Sequence, residues 1–265
     1  MAILYKEYGD KSAELMVFLH GGGVSDWMWD QQIQYFTNYH CIVPILPEHG
    51  INNNVINFSI KGSAEEVIRL IEDKASGEKV ILIGFSLGSQ VIMQILSMKP
   101  NLIDYAIINS ALVRPMAYGK HFIKPIIKCL LPLVKNRFFS KLQAKTLYVN
   151  EAYFEKYYEE SSKVRPDTLI RVLEENMSFE IPKDFEKAST KILVTVGEKE
   201  KAIMKKSAKD IVEANSNCIG IILPKIGHGI PLAMPAYFNQ MVEAWIEESK
   251  LPKDCKVVSN LYLES

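Results

Sequence analysis

The stretch Gly84-Phe85-Ser86-Leu87-Gly88 constrains the fold more than any other part of this chain. It follows directly on the apolar run 79–83 and leads into a helix-like stretch, 89–98. A strand that passes at once into a helix must turn very sharply at the serine. The turn leaves Ser86 in a strained backbone conformation, with its hydroxyl at the tip. Side chains at positions 84 and 88 would collide with the adjoining strand and helix, so glycine fits where larger residues do not. The Leu87 N–H then lies at the helix start, where unpaired N–H groups and the helix dipole favour a developing negative charge.

A serine in this setting is either incidental to a strand–turn–helix junction or a nucleophile, and its surroundings bear on the choice. Upstream, the run 15–19 ends in His20-Gly21-Gly22-Gly23. Downstream, the run 218–223 ends in Pro-Lys-Ile-Gly-His228-Gly. Both loops fall just past the carboxyl end of a predicted strand, where ligands bind in open α/β sheets.

Strand-like and helix-like segments alternate along the chain. After an amino-terminal strand that turns at Gly9-Asp10, strands are predicted at 15–19, 40–46, 79–84, 104–109, 191–197 and 218–223. Amphipathic helices are predicted at 27–39, 63–75, 90–98, 202–214 and 237–248, with Ser63 and Glu66 spaced as a capping box. The alternation implies a mostly parallel central sheet with helices on both faces. With 265 residues, 48% of them hydrophobic, the chain suffices for one large α/β core. The tail 251–265 extends past the last helix, as an added strand, an exchanged segment or a disordered end.

The interval 111–188 breaks the alternation. It is far longer than the ~2–6 residues usual between such elements, and it reads as helical and apolar with prolines at 115, 125, 132, 166 and 182. This divides the chain into a core, 1–110 and 189–265, and a helical insertion. The insertion is electrically lopsided. No Asp or Glu occurs in 105–150, which carries Arg114, Lys120, Lys124, Lys128, Lys135, Arg137, Lys141 and Lys145, whereas acids predominate in 151–186. That pattern is either a solvated basic face opposite the acidic half or a patch that attracts an anionic substrate or membrane surface.

Composition excludes several classes. A net charge of zero gives no case for a nucleic-acid partner. No apolar run approaches the ~20 residues of a membrane span, and the first ten residues lack the pattern of a signal peptide. Cys41, Cys129, Cys218 and Cys255 show no metal-like spacing, and Cys41 and Cys218 fall in strand-like runs as buried small hydrophobes. We expect a cytoplasmic protein without disulfides, structural metal or cofactor, acting on a small molecule; oligomeric state is open.

A serine hydroxyl is too weakly acidic to attack an acyl carbon at neutral pH without an adjacent base. Of the five histidines, His228 is best placed, in a loop whose Gly227 and Gly229 are expected to permit the bend that points the imidazole inwards. His20, His40, His49 and His121 read as structural. So do Trp27, Met28 and Trp29, and the insertion's Tyr148, Tyr153, Phe154, Tyr157 and Tyr158, as core-packing side chains.

The chain resembles the α/β-hydrolase superfamily over nearly its whole length. The resemblance rests on HGGG at 20–23, VPILPEHG at 43–50, GFSLG at 84–88, VTVGEKE at 194–200 and IGHGIP at 226–231, in the order nucleophile, acid, histidine. It is nearest in type to lid-bearing serine hydrolases of the esterase, lactonase and aminopeptidase-like kind. It implies that 111–188 is a lid above the site, that Glu200 stands where the family usually has Asp, with Glu198 as the alternative, and that Gly22 joins Leu87 in an oxyanion hole. Ile45 and Glu48 depart from the family's V-P-D-L-P-G-H-G pattern. The expected activity is hydrolysis of an ester or thioester of a small, largely hydrophobic substrate through an acyl-enzyme on Ser86, with His228 as base. The alternatives are a non-hydrolytic small-ligand receptor on the same scaffold, or a cofactor-free lyase with His228 as base.

Overall fold

A computed structural model describes residues 3–50, 57–116, 123–125, 127, 133 and 135–258. Eight strands form one sheet: β1 (Leu4–Tyr8), β2 (Leu15–Leu19), β3 (His40–Ile45), β4 (Val80–Phe85), β5 (Tyr105–Asn109), β6 (Lys191–Gly197), β7 (Cys218–Leu223) and β8 (Lys256–Val257). Their spatial order is β1-β3-β2-β4-β5-β6-β7-β8. The six central strands run parallel, and β1 and β8 pair antiparallel at the edges. The strand core of the tail is thus an added edge strand, while 259–265 lie outside the described residues.

Alternation in the strands sorts their side chains to two faces. Leu15, Val17 and Leu19 join one apolar cluster, with helices α2 (Ile60–Lys74) and α3 (Leu87–Met98). Met16 and Phe18 join a second cluster, with Trp27, Trp29 and the last long helix, Pro235–Glu248. Every residue of β2, β3 and β4 is buried. Each large apolar side chain so enclosed contributes about 1.5–3 kcal/mol relative to exposure.

Two helix assignments differ from expectation. The stretch expected as one helix over 27–39 is a 3-10 turn, Asp26–Trp29, followed by the short helix α1, Asp30–Tyr35. Trp27, Met28 and Trp29 are all buried. Three successive bulky residues need apolar surroundings on all sides, which one stripe of a surface helix does not supply. Helix α2 begins at Ile60 rather than at Ser63. Ser59 is its cap, its hydroxyl accepting from Gly62 N–H at 3.0 Å. Ser63 and Glu66 lie inside the helix, and the earlier start adds Ile60 to the buried face.

Between β5 and β6 lie, among others, α4 (Arg137–Thr146), α5 (Glu151–Lys163), α6 (Pro166–Ser178) and a 3-10 turn, Phe185–Lys187. Arg137 pairs with Glu155, and Lys141 lies 3.7 Å from Glu151, so these basic groups face the acidic half of the same insertion. Arg114 instead pairs with Asp210 on α7 (Ala202–Ala214) in the core. Lys120, Lys128, His121 and Cys129 lie outside the described residues. Cys41 and Cys218 are buried free thiols, their pKa values pushed up to about 12 by burial, and Cys255 is a half-buried free thiol. Among the described residues no helix is long and apolar enough to cross a membrane.

Candidate active site

The parallel register brings the carboxyl ends of the strands to one level. Leu19 pairs with Gly84, Phe85 with Asn109, Asn109 with Thr195, and Gly197 with Leu223. Residues immediately after these positions therefore gather along one edge.

Ser86 stands between β4 and α3 at φ 52°, ψ −110°. Few non-glycine residues adopt such a conformation, and surrounding structure must hold it there. That structure is visible. Ser86 N–H donates to Asn109 O at 2.8 Å, and the flanking glycines are pressed against backbone. A Cβ on Gly88 would lie 2.2 Å from Leu19 O, and one on Gly84 would lie 2.8 Å from Ser89 N. Both positions exclude side chains, as the sequence implies.

His228, in the loop after β7, sets Nε2 3.0 Å from Ser86 Oγ and Nδ1 2.8 Å from Glu200 Oε2. Its side chain is 38% exposed, whereas that of Glu200 is 2% exposed, so the cluster is closed to solvent at the Glu200 end. Glu200 Oε1 accepts from Gly197 N–H at 2.8 Å and from Ser110 Oγ at 2.7 Å. Burial pushes the Glu200 carboxyl up, but its hydrogen bond with His228, that ring's charge, and the donors Gly197 N–H and Ser110 O–H outweigh it and leave the pKa lowered. Glu200 N–H in turn donates to Gly197 O at 3.0 Å. This reciprocal pairing folds the longer glutamate arm back on its own turn, which absorbs the extra methylene. Glu198 is exposed and turned elsewhere: its carboxylate accepts from Lys225 N–H at 2.9 Å.

Gly22 adjoins the start of α3. A Cβ there would lie 3.6 Å from Leu87 Cδ2 and 3.7 Å from Val172 Cγ1. Buried His20 holds this loop. Its Nδ1 donates to Gly21 O at 2.9 Å, and its Nε2 accepts from Leu46 N–H at 3.1 Å. Burial and the neighbouring His49 push its pKa down to about 3, so the ring is neutral with a fixed tautomer. C=O and N–H of a trans peptide point in opposite directions. Holding Gly21 O therefore turns the Gly22 N–H away from His20. Leu87 N–H, at the first turn of α3, has no partner within the helix.

The expectation for Gly227 and Gly229 needs correction. Neither has a positive φ; that of Gly229 is −112°. What excludes a side chain is Tyr148, packed across them: a Cβ on Gly229 would lie 2.7 Å from Tyr148 Cδ2, and one on Gly227 2.9 Å from Tyr148 Oη.

Three residues of the site are absent from the sequence-based set. Asn109 and Ser110 close β5, one holding Ser86 N–H and the other, at φ 56°, donating to Glu200. Their signal is a polar pair ending an apolar strand. Glu48 is the third. It is buried at φ 62°, and its carboxylate accepts from Thr168 Oγ1 at 2.8 Å, Phe58 N–H at 2.8 Å and Arg171 Nη1 at 2.6 Å. It thereby fastens α6 to the core.

Beside Gly23 lies a cavity of about 220 Å³, walled mainly by Val24, Leu147, Tyr157, Leu169 and Val172. Val172 also faces Gly22, so the cavity adjoins the Gly22 loop; Ser86 and His228 are not among its walls. Trp27 and Tyr153 stack near it at 5.5 Å, with Trp27 Nε1 donating to Glu160 at 2.9 Å.

The fold recurs in solved structures. An α/β hydrolase from a Medee basin deep-sea metagenome library, MGS-M2, superposes with a TM-score of 0.78 at 18% identity, over 95% of this chain and 96% of that one. A thermophilic esterase from Thermogutta terrifontis superposes with a TM-score of 0.75 at 16% identity, over 92% of each chain. An AB hydrolase superfamily protein of Gibberella zeae is 27% identical over 103 residues, and the match spans only 36% of that protein and 37% of this one. The model of the alpha/beta hydrolase family matches residues 16–241, from β2 into the last long helix. With most of its length so matched, this chain belongs to the alpha/beta hydrolase family.

Proposed function

We propose that the protein is a serine hydrolase that cleaves an ester or thioester through an acyl-enzyme. The observation that carries this reading is the continuous hydrogen-bonded line Ser86 Oγ–His228–Glu200, with links of 3.0 and 2.8 Å, on a serine held at φ 52°. Ser86 is the nucleophile. As Oγ bonds to the acyl carbon, Nε2 of His228 takes its proton. Glu200 is kept ionised, holds the Nδ1–H tautomer and balances the imidazolium. The carbonyl oxygen gains charge and is met by the N–H groups of Gly22 and Leu87, each such donor worth about 3 kcal/mol at the transition state. Collapse of the tetrahedral intermediate expels the alcohol or thiol, which receives the proton from Nε2. Water then attacks the acyl group with His228 again as base, releasing a carboxylic acid and restoring Ser86.

The mainly apolar walls of the adjoining cavity favour a hydrophobic acyl part, and its size suits a small one. In this reading 111–188 is a lid on a core of 1–110 and 189–265, since Leu147, Tyr157 and Val172 of the insertion form part of the cavity wall. The likeness to an esterase at 16% identity concerns the fold; the substrate class rests on the cavity.

A series of p-nitrophenyl esters of increasing acyl length tests this. We expect a burst of p-nitrophenol matching the enzyme concentration, and a KM that first falls with acyl length and rises once the cavity is full. Unchanged turnover by Ser86→Ala would contradict the reading. Absence of burst and turnover across the series would favour a binding protein on the same scaffold.

A further inference from the structure

Helix α4 ends in a way its sequence does not suit. Val149 N–H donates to Ala144 O at 2.9 Å and Tyr148 N–H to Lys145 O at 3.2 Å. These are the paired bonds of a Schellman termination, which places the residue after the helix cap in the left-handed region. That residue is usually glycine, because a side chain there crowds the backbone. Here it is Tyr148, at φ 59°. Strain retained at such a position calls for a compensating contact.

The contact is with the His228 loop. The ring edge of Tyr148 runs from the Cβ position of Gly229, 2.7 Å from Cδ2, to that of Gly227, 2.9 Å from Oη. The carbonyl of Leu147 follows it, 3.2 Å from the same point on Gly229. The phenol thus spans the backbone on both sides of His228. Two glycines and one strained tyrosine, from segments about eighty residues apart in sequence, form a single close fit. The imidazole itself meets Phe85, with tilted rings whose centroids are 5.0 Å apart. The loop has no regular strand or helix before Ile230; hydrogen bonds of Lys199 N–H to Ile226 O and Lys225 N–H to Glu198 tie its start, and packing at Gly227 and Gly229 supports the backbone beside the histidine.

We propose that Tyr148 is a positioning residue for His228: its ring, supplied by the insertion, clamps the Gly227–Gly229 backbone and fixes the imidazole between Ser86 and Glu200. This rests on the acyl-enzyme reading and adds a dependence of the histidine on the insertion. Tyr148 touches no reacting atom in this account. It acts through geometry, where a displacement of about 1 Å costs up to 100-fold in rate.

The test compares Tyr148→Phe, which keeps the ring, with Tyr148→Gly, which removes it and suits the left-handed backbone, so the helix end still forms. The readouts are the second-order rate of fluorophosphonate labelling, and kcat and KM on a p-nitrophenyl ester. We expect Tyr148→Phe to stay within about threefold of wild type. Tyr148→Gly should lose about 10- to 100-fold in labelling rate and kcat, with KM nearly unchanged. Gly229→Ala, which pushes on the ring, should show a similar loss, and the double variant should be no worse than the poorer single one. Wild-type protein that labels, with Tyr148→Gly labelling equally fast, overturns this proposal alone. A Tyr148→Phe variant as impaired as Tyr148→Gly also overturns it, because the Oη contact at Gly227, and not the ring against Gly229, would then carry the effect. Wild-type protein that does not label removes the acyl-enzyme reading and this inference with it.

Discussion

The strand ends that carry Ser86, His228 and Glu200 and the insertion helices that meet them are held by different forces. At the strand ends, apolar burial and glycine-to-backbone approaches set the geometry: Gly84, Gly88 and Gly197 each have backbone within 3 Å of a Cβ position. The insertion shares the core's apolar clusters through Ala144, Phe154, Tyr157, Val172 and Phe179, and adds carboxylate anchors to them. Glu48 of the core accepts from Thr168 and Arg171, Glu160 of α5 accepts from Ser25 and Trp27, and Glu175 of α6 accepts from Ile60 N–H. Close packing tolerates almost no displacement, whereas a few polar anchors can release one at a time. In the reading proposed above the insertion is a cover over the reaction centre, and these polar anchors are what distinguishes its attachment.

Glu48 and Glu160 line the same cavity yet shift in opposite directions. Burial pushes both up. For Glu48 the Phe58 N–H, the Thr168 hydroxyl and the Arg171 guanidinium prevail, and its pKa is lowered. Glu160 has neutral donors, Trp27 N–H and Ser25 O–H, with only a more distant Lys156, and its pKa is raised. Three donors in contact, led by the Phe58 N–H, lower Glu48, whereas the nearby Asp26 charge adds to the upward push on Glu160.

The largest expected effect breaks the centre and leaves the cover alone. Ser86→Ala should reduce kcat by about 10⁶ with unchanged melting temperature, the order found when a triad nucleophile is removed. Steady-state rates and thermal unfolding on one preparation check it. Next in size is Glu200→Gln, about 10⁴ in kcat, because the amide supports the wrong imidazole tautomer and cannot balance the imidazolium. Glu198→Gln should be close to neutral. Glu200 also carries a pH dependence. Its folded pKa is lowered, so its contribution to stability is complete above the ordinary glutamate range and fades as pH falls from that range through the folded value. Glu200→Gln should flatten the melting temperature over that acid window.

The smaller effects concern the cover. Arg171→Ala leaves buried Glu48 with only Arg165, exposed and 3.9 Å away, as a cation and should cost about 2 kcal/mol. That lowers the melting temperature by about 4–8 °C for a chain of this size, while kcat changes far less than in the triad variants. An Arg171→Ala variant as inactive as Glu200→Gln would erase the distinction between centre and cover. Glu160→Gln is the smallest. Because the folded pKa of Glu160 is raised, the stability of its protonated form is present below the ordinary glutamate range and is lost as pH rises through the folded value. The amide removes that loss. Stability at neutral pH should change by less than about 1 kcal/mol, with a flatter pH profile of the melting temperature just above that range.

The core was legible because its signals are local. The runs 15–19, 191–197 and 218–223 are strands over those residues, since short continuous apolar runs bounded by turn residues mark them directly. The Ser86 turn and both its glycines follow from one strand–helix junction. The insertion's attachment was not legible, because it depends on which side chains meet across more than a hundred residues. Glu48 reads as a departure from a family pattern until Arg171 is seen beside it. Tyr148 is one aromatic among several until its left-handed φ and the two glycines beneath it are seen together. Gly227 and Gly229 show the same limit: the sequence marks them as special, but only the tyrosine across them supplies the reason.

The central claim is that Ser86 is made nucleophilic by His228 and Glu200. The most direct test is peptide mapping after reaction of the folded protein with a fluorophosphonate. This account predicts one adduct, on Ser86, formed at wild-type rate in Glu198→Gln and severely slowed in Glu200→Gln and His228→Ala. Labelling of a different serine, or none in folded, monodisperse protein, would contradict it.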